Sequence, residues 1–262
     1  MILDEILAHK RREVAERRSQ RPHLNASAGR SASRGFAAAL KAPGVSVIAE
    51  FKRKSPSAGD LLPGAAAGDI ARRYEANGAA ALSVLTDQAF FGGTDQDLID
   101  AHQATNLPVL RKDFVIDAYQ IHEAVAIGAD AVLLIVRALS QSELAQLIGL
   151  AECLGLDALV ETHSAAEVER ALDAGASVIG VNNRDLDTLV TDVSLAPRLR
   201  PLVPPGCVFV AESGVSTSEQ ISILSDAGAD AVLIGESLLR APDPDALLRR
   251  LVFAGAPRGV HA

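Results

Sequence analysis

Eight short apolar runs recur along the chain: "VSVIAEF" from Val45, "AALSVL" from Ala80, "PVLRKDF" from Pro108, "DAVLLIV" from Asp130, "DALVET" from Asp157, "SVIGVNN" from Ser177, "CVFVAES" from Cys207 and "DAVLIGES" from Asp230. Each has the length of a buried strand. Between them lie segments with helical periodicity, such as "AGDIARRYEANGA", "AYQIHEAVAIGA", "SQSELAQLIGLAECLGL", "SAAEVERALDAGA" and "STSEQISILSDAGA". Several end in Gly just before the next strand, the usual helix stop. Strands that alternate with helices run parallel, and eight such units are the number that closes a barrel.

Internal similarity points the same way. "AIGADAVLLIV" and "DAGADAVLIGE" are near copies about four units apart, with "NGAAALSVLT" and "DAGASVIGVNN" as looser versions. The expected class is therefore α/β, a (β/α)8 barrel of the TIM type. An open doubly wound sheet is the alternative, but no GxGxxG follows the first strand. The apolar residues are mainly Ala, Val, Leu and Ile, with no Trp and 3% aromatics, which suits a core of small branched side chains stacked in layers. One domain spanning 1–262 is expected, with 1–44 as an N-terminal helical extension. Within that extension "ILDEILAHKRREVAERR" puts Ile2, Ile6 and Val14 near one face and its Lys and Arg elsewhere, an amphipathic helix laid on the barrel. "NASAGRSASRG" reads as a loop and the final "FAGAPRGVHA" as a frayed tail.

Net charge is -8, which argues against nucleic acid or an anionic membrane as partner, and the basic residues of the first helix are interleaved with acidic ones. No leader pattern and no run long enough to span a bilayer occur, so a cytoplasmic protein is expected. Cys153 and Cys207 have no metal or redox spacing and are expected to be buried thiols. His102, His122 and His163 likewise form no metal spacing and read as surface or helix-end residues.

Alternate side chains of a strand share a face. Ile48, Glu50 and Lys52 therefore point one way, and the same parity joins Leu110 to Lys112, Leu159 to Glu161, and Gly180 to Asn182 with Arg184 beyond. In a closed parallel barrel only residues at the carboxyl ends of strands open toward substrate. Two lysines and two glutamates would thus meet at one rim, where mutual charge and partial burial tune an acid and a base. After the last two strands, "AESGVST" and "LIGESLL" offer small residues with accessible backbone N–H groups. Barrel enzymes often hold phosphate there, with Ser213 and Gly214 as one half of a cradle and Gly235, Glu236 and Ser237 as the other. Glu212, which would repel a phosphate, is expected to be a structural hydrogen-bond acceptor.

The chain resembles the indole-3-glycerol phosphate synthase family over nearly its full length. The match runs from "ILDEILAHKRREV" through "IAEFKRKSPSAG", "LSVLTDQAFFGGT", "LRKDFVIDAYQIHEA", "GADAVLLI", "LVETH", "GVNNRDLDT" and "VAESGV" to "LIGESLLR". The resemblance implies a cofactor-free enzyme, with no metal, that acts on a small phosphorylated substrate; a monomer is expected. It assigns ketone polarisation to Lys112 and the acid or base of the later dehydration to Glu161. Glu50 would stabilise cationic character on the anilino nitrogen and orient a lysine, and Lys52 would hold the substrate carboxylate or share proton transfer. Asn182 would position a hydroxyl or a glutamate, Arg184 would pair with the anthranilate carboxylate, and Ser55 with Ser213 would complete the polar lining. Phe90, Phe114, Leu133 and Ile135 would enclose the aromatic ring, or else simply pack the core; Ser213, Gly214, Gly235 and Glu236 would bring backbone to the phosphate. A Schiff-base aldolase using Lys112, and a non-catalytic barrel that binds a phosphorylated metabolite, are the rival readings. The Ala-rich "SPSAGDLLPGAA" departs from the family pattern and bears on loop closure.

Overall fold

Each of the eight apolar runs forms a strand: β1 Ser46–Phe51, β2 Ala81–Leu85, β3 Val109–Lys112, β4 Ala131–Ile135, β5 Asp157–Thr162, β6 Val178–Asn182, β7 Val208–Glu212 and β8 Ala231–Ile234. This is a computed structural model, and it describes residues 2–22, 32–56, 59–62, 64–185 and 187–257. All eight strands pair in parallel and in chain order, and β8 returns to pair with β1, so the sheet closes. The register Ile48 to Leu233 across β1 and β8, and Glu50 to Ser83 across β1 and β2, keeps side chains of like parity on the same wall.

Closure splits the apolar residues into two cores. Ile48, Leu110, Leu159 and Val210 belong to the cluster that fills the barrel, while Val47, Phe51, Val132 and Phe209 pack outward against the helices. Both faces of the strands are buried, which is why the strands read as continuous apolar runs. The expected helices are present at Ala67–Ala76, Ala118–Ala126, Gln141–Cys153, Ala165–Asp173 and Ser218–Asp226. Gly78, Gly128, Gly155, Gly175 and Gly228, which follow them, all have positive φ, the left-handed turn that ends a helix and that Gly adopts without a steric cost. A short helix, Phe36–Leu40, adds Phe36 and Leu40 to the interior cluster. The backbone N–H of Ala37 donates to Asp157 at the start of β5 (2.8 Å), so this helix stoppers the bottom of the barrel.

Three expectations need correction. The helix Pro244–Gly255 takes in the start of the segment read as a frayed tail, and the Gly255 carbonyl accepts a hydrogen bond from the Val45 N–H at 2.7 Å. Cys153 is exposed and Cys207 partly buried, because each sits at the end of an element and not within the core. In the N-terminal helix, Ile2–Gln20, the buried face comprises Leu3, Ile6, Leu7, Lys10 and Val14. The lysine belongs there because its Nζ lies 2.8 Å from Asp87, 2.9 Å from Asp113 and 2.9 Å from Glu13, an ion cluster locking the helix to the loops after β2 and β3. Side-chain placement of Ile2, most of the loop segment 25–35, and parts of the Ala-rich segment lie outside the described residues.

Both aspartates of that cluster are fully buried, so removing the cation strands two negative charges in a dry site. Lys10→Met is expected to lower the unfolding free energy by about 3–5 kcal/mol in urea titration. A loss under about 1 kcal/mol would show that the cluster does not hold the helix.

Candidate active site

The strand parity that fills the barrel also builds its upper layer. Two residues above Ile48, Leu110, Leu159 and Val210 come Glu50 on β1, Lys112 on β3, Glu161 on β5 and Glu212 on β7. A barrel layer takes its four side chains from alternate strands, and here that layer is charged. The Lys112 ammonium sits among the three carboxylates: it donates to Glu212 Oε2 at 3.2 Å and lies 3.7 Å from Glu50 Oε2 and 3.8 Å from Glu161 Oε2. The even strands make room with small residues. The Ser83 hydroxyl donates to Glu50 Oε2 (3.3 Å), and a Cβ on Gly180 would come within 2.2 Å of Glu212 Oε1.

Lys52, the last inward residue beyond β1, donates to Glu50 Oε1 at 2.8 Å. The protonation states follow from this packing. Burial opposes the Lys112 ammonium, but Glu212, Glu50 and Glu161 outweigh it and raise its pKa well above the ordinary lysine value. Burial likewise opposes the Glu50 carboxylate, yet Lys52 and Lys112 prevail and depress its pKa. For Glu212 burial wins: with Glu161 and Glu50 adding repulsion against the attraction of Lys112, it is pushed up to about 7. Glu212 is thus a hydrogen-bond acceptor, as expected, and the group that it holds is the Lys112 ammonium. The Val208, Val210, Glu212 alternation carried the signal, with the same parity that located the other three.

Above this layer opens a cavity of about 370 Å³. Glu50, Lys52, Lys112, Glu161, Asn182 and Arg184 line it, and so does Ser55. Its apolar wall includes Phe114, Leu133 and Ile135, as expected, together with Phe91 and, from the N-terminal helix, Leu3 and Ile6. Phe90 is not in that wall; its ring meets His9 edge-on, with centroids 5.7 Å apart. The two phenylalanines sit on a single helical turn, Gln88–Phe91, capped by Asp87, and this turn presents Phe91 inward, 6.1 Å from the Phe114 ring.

Ser213, Gly214, Gly235, Glu236 and Ser237 line the same cavity. Ser213 and Gly214 have φ of 66° and 82°, a tight left-handed turn at the end of β7. The Ser237 hydroxyl ties the two turns together by donating to the Val215 carbonyl at 2.9 Å. Space there is limited: a Cβ on Gly235 would meet Glu50 Oε1 at 2.4 Å, and one on Gly214 would meet Thr191 Cγ2 at 2.6 Å. Asn182 Oδ1 accepts the Arg184 backbone N–H at 3.0 Å. The Arg184 guanidinium reaches Glu236 Oε2 at 3.2 Å, which puts it beside the small-residue turns.

His163 stands at a helix end, one residue before the cap Ser164, but not at the surface. Its side chain is 5% exposed, wedged between Glu161 and Glu167, because the chain turns into the helix Ala165–Asp173 just past β5. His102 is partly buried, 3.9 Å from Asp130. Among the described residues no group of three or more His, Cys, Asp or Glu is arranged to hold a metal ion, and no helix is long and apolar enough to cross a membrane.

Comparison with known proteins gives one answer. Residues 3–251 match the family model described as indole-3-glycerol phosphate synthase. The indole-3-glycerol phosphate synthase of Syntrophobacter fumaroxidans is 49% identical over 97% of this chain and 98% of its own length. That of Kineococcus radiotolerans is 48% identical over 100% and 98%. Among solved structures, 3-hexulose-6-phosphate synthase from Salmonella typhimurium superposes with a TM-score of 0.65 at 14% identity, covering 80% of this chain and 98% of that one, a likeness of fold alone.

Proposed function

Since the chain belongs to the indole-3-glycerol phosphate synthase family, we propose how its own side chains divide the work of that reaction. The enzyme is a carboxy-lyase of tryptophan biosynthesis: it converts 1-(2-carboxyphenylamino)-1-deoxyribulose 5-phosphate into indole-3-glycerol phosphate, with loss of carbon dioxide and water. Ring closure needs an acid at the substrate ketone as the aromatic carbon attacks it. Lys112 fills that role, an ammonium held at 3.8 Å or less from three carboxylates on the floor of the cavity. That placement is the observation on which the reading rests.

Attack through the aromatic ring leaves positive charge on the anilino nitrogen, and the ionised Glu50 is the anion to stabilise it. Lys52, paired with Glu50, takes the substrate carboxylate until carbon dioxide leaves. Dehydration then needs one group that gives a proton to the departing hydroxyl and takes one from carbon, and Glu161 is assigned to it. Glu212 anchors Lys112 from below, Asn182 sets the backbone of Arg184, and Ser55 adds to the polar lining. Phe91, Phe114, Leu133 and Ile135 enclose the ring and exclude water, which strengthens every charge interaction inside.

The phosphate goes to the backbone of Ser213, Gly214, Gly235 and Glu236, with Arg184 as the neighbouring cation. The anthranilate carboxylate falls to Lys52 because Arg184 is engaged on the phosphate side. A Schiff base at Lys112 would need a neutral amine, whereas this environment favours the ammonium. Side chains supply both acid and base, so the reaction as proposed needs no cofactor. Every group comes from one chain, and we take the working enzyme to be a cytoplasmic monomer in which barrel and extension form one domain.

Gly214→Val tests the cradle. With a side chain in the Ser213–Gly214 turn, KM should rise about tenfold or more while kcat moves less, because phosphate binding is shared by ground and transition states. Unchanged KM in steady-state kinetics would remove the phosphate from this turn.

A further inference from the structure

Two arginines at the small-residue end of the cavity already hold an anion, and that anion belongs to the protein. The Arg184 guanidinium reaches Glu236 Oε2 at 3.2 Å, and Arg240 Nε lies 3.1 Å from the other oxygen, Oε1. All three side chains line the cavity together with Ser213, Gly214 and Gly235. Arg184 is held from a second side as well. Its Nε donates to Thr191 Oγ1 at 3.3 Å, and Thr191 is the residue pressed against Gly214. A carboxylate therefore sits where a phosphorylated ligand would look for its cations.

We propose that the Glu236 side chain is a built-in competitor for the phosphate group, paired with Arg184 and Arg240 until a phosphorylated ligand displaces it. Carboxylate and phosphate make the same charge-assisted hydrogen bonds to a guanidinium, so the two anions contend for one set of donors. They do not share it comfortably, because like charges a few ångströms apart repel. The doubly charged phosphate takes the arginines, and Glu236 turns outward.

The local structure suits that exchange. Glu236 is 29% exposed and Arg184 26%, so the displaced carboxylate has water to enter and the ion pair that breaks is a partly screened one. The backbone need not follow, since the Ser237 hydroxyl anchors the start of this helix to the Val215 carbonyl at 2.9 Å. Glu50 and Glu161 differ in both respects: they are buried, on strands, and have no such exit. The consequence is selectivity. Breaking the pair weakens the binding of every phosphate, but a ligand whose aromatic ring also fills the apolar wall offsets that cost, whereas inorganic phosphate has nothing to offset it with. The product carries the same phosphate, so the returning carboxylate also favours its departure.

The inference rests on the phosphate cradle proposed above, and the experiment separates the two. Inorganic phosphate is used as an inhibitor of the full-length wild type and of Glu236→Gln, in steady-state kinetics at constant ionic strength. Glutamine keeps the size of the side chain and an oxygen that accepts from arginine, but not the charge. Phosphate should compete with substrate in both proteins, with an inhibition constant about five- to tenfold lower in Glu236→Gln. KM should fall in the same direction while kcat does not rise, because the product is held more tightly too. Added potassium chloride should narrow the gap between the two proteins. Competitive inhibition that is equal in both, or weaker in Glu236→Gln, overturns the competitor and leaves the cradle standing. Phosphate that competes with substrate in neither protein removes the cradle and the competitor together.

Discussion

Lys112→Ala should lower kcat by about three orders of magnitude or more, equivalent to at least about 4 kcal/mol of transition-state stabilisation, with KM changed by less than about fivefold. The asymmetry follows from the proposed role. Lys112 meets the ketone oxygen, whose negative charge develops only as the ring closes, so its loss weakens the transition state far more than the ground state. Folding should survive, because burial already pushes the Glu212 carboxyl up to about 7, and it can take up a proton once its cation is gone. Lys112→Arg sharpens the test. It keeps a positive charge but carries it on a longer planar fork that does not place a proton on the ketone oxygen as the compact ammonium does, so KM should stay near wild type while turnover stays low. A rate within tenfold of wild type for Lys112→Ala would take the ketone acid elsewhere.

Glu161→Gln should reduce indole formation by about 10²–10⁴-fold, the range for removing a positioned acid or base. The distinctive expectation is in the order of events. Ring closure and loss of carbon dioxide precede dehydration, so a rapid-mixing experiment on this variant should show carbon dioxide released ahead of the indole chromophore. If both signals slow together, Glu161 acts at ring closure; if neither slows, it is not the dehydration catalyst.

Most of this site was legible in the sequence because one rule, the period of two along a strand, does two jobs. It buries Ile48, Leu110 and Leu159 in the barrel and by continuation places Glu50, Lys112 and Glu161 above them. The same rule reaches Glu212 from Val210, where the repulsion expected between a carboxylate and phosphate points to a structural acceptor without naming its donor. Lys112, 3.2 Å away, compensates that charge, and no local pattern shows a compensation supplied from another strand. Phe91 and Phe90 lie on a single helical turn, where strand parity does not apply and the inward residue is chosen by the cap on Asp87. His163 and Lys10 were missed for a related reason. Each is a polar residue whose partners come from other elements, Glu167 for the histidine, Asp87 and Asp113 for the lysine, so the sequence pattern marks them as solvated.

The most direct measurement is a crystal structure with a substrate analogue in which the ketone is reduced to an alcohol, so that binding is intact and ring closure is blocked. The account predicts the phosphate on the backbone N–H groups of the Ser213–Gly214 and Gly235–Glu236 turns, the alcohol oxygen within hydrogen-bond reach of Lys112 Nζ, and the aromatic ring between Phe114 and Leu133. A phosphate bound outside those turns, or an alcohol oxygen out of reach of Lys112, would contradict it.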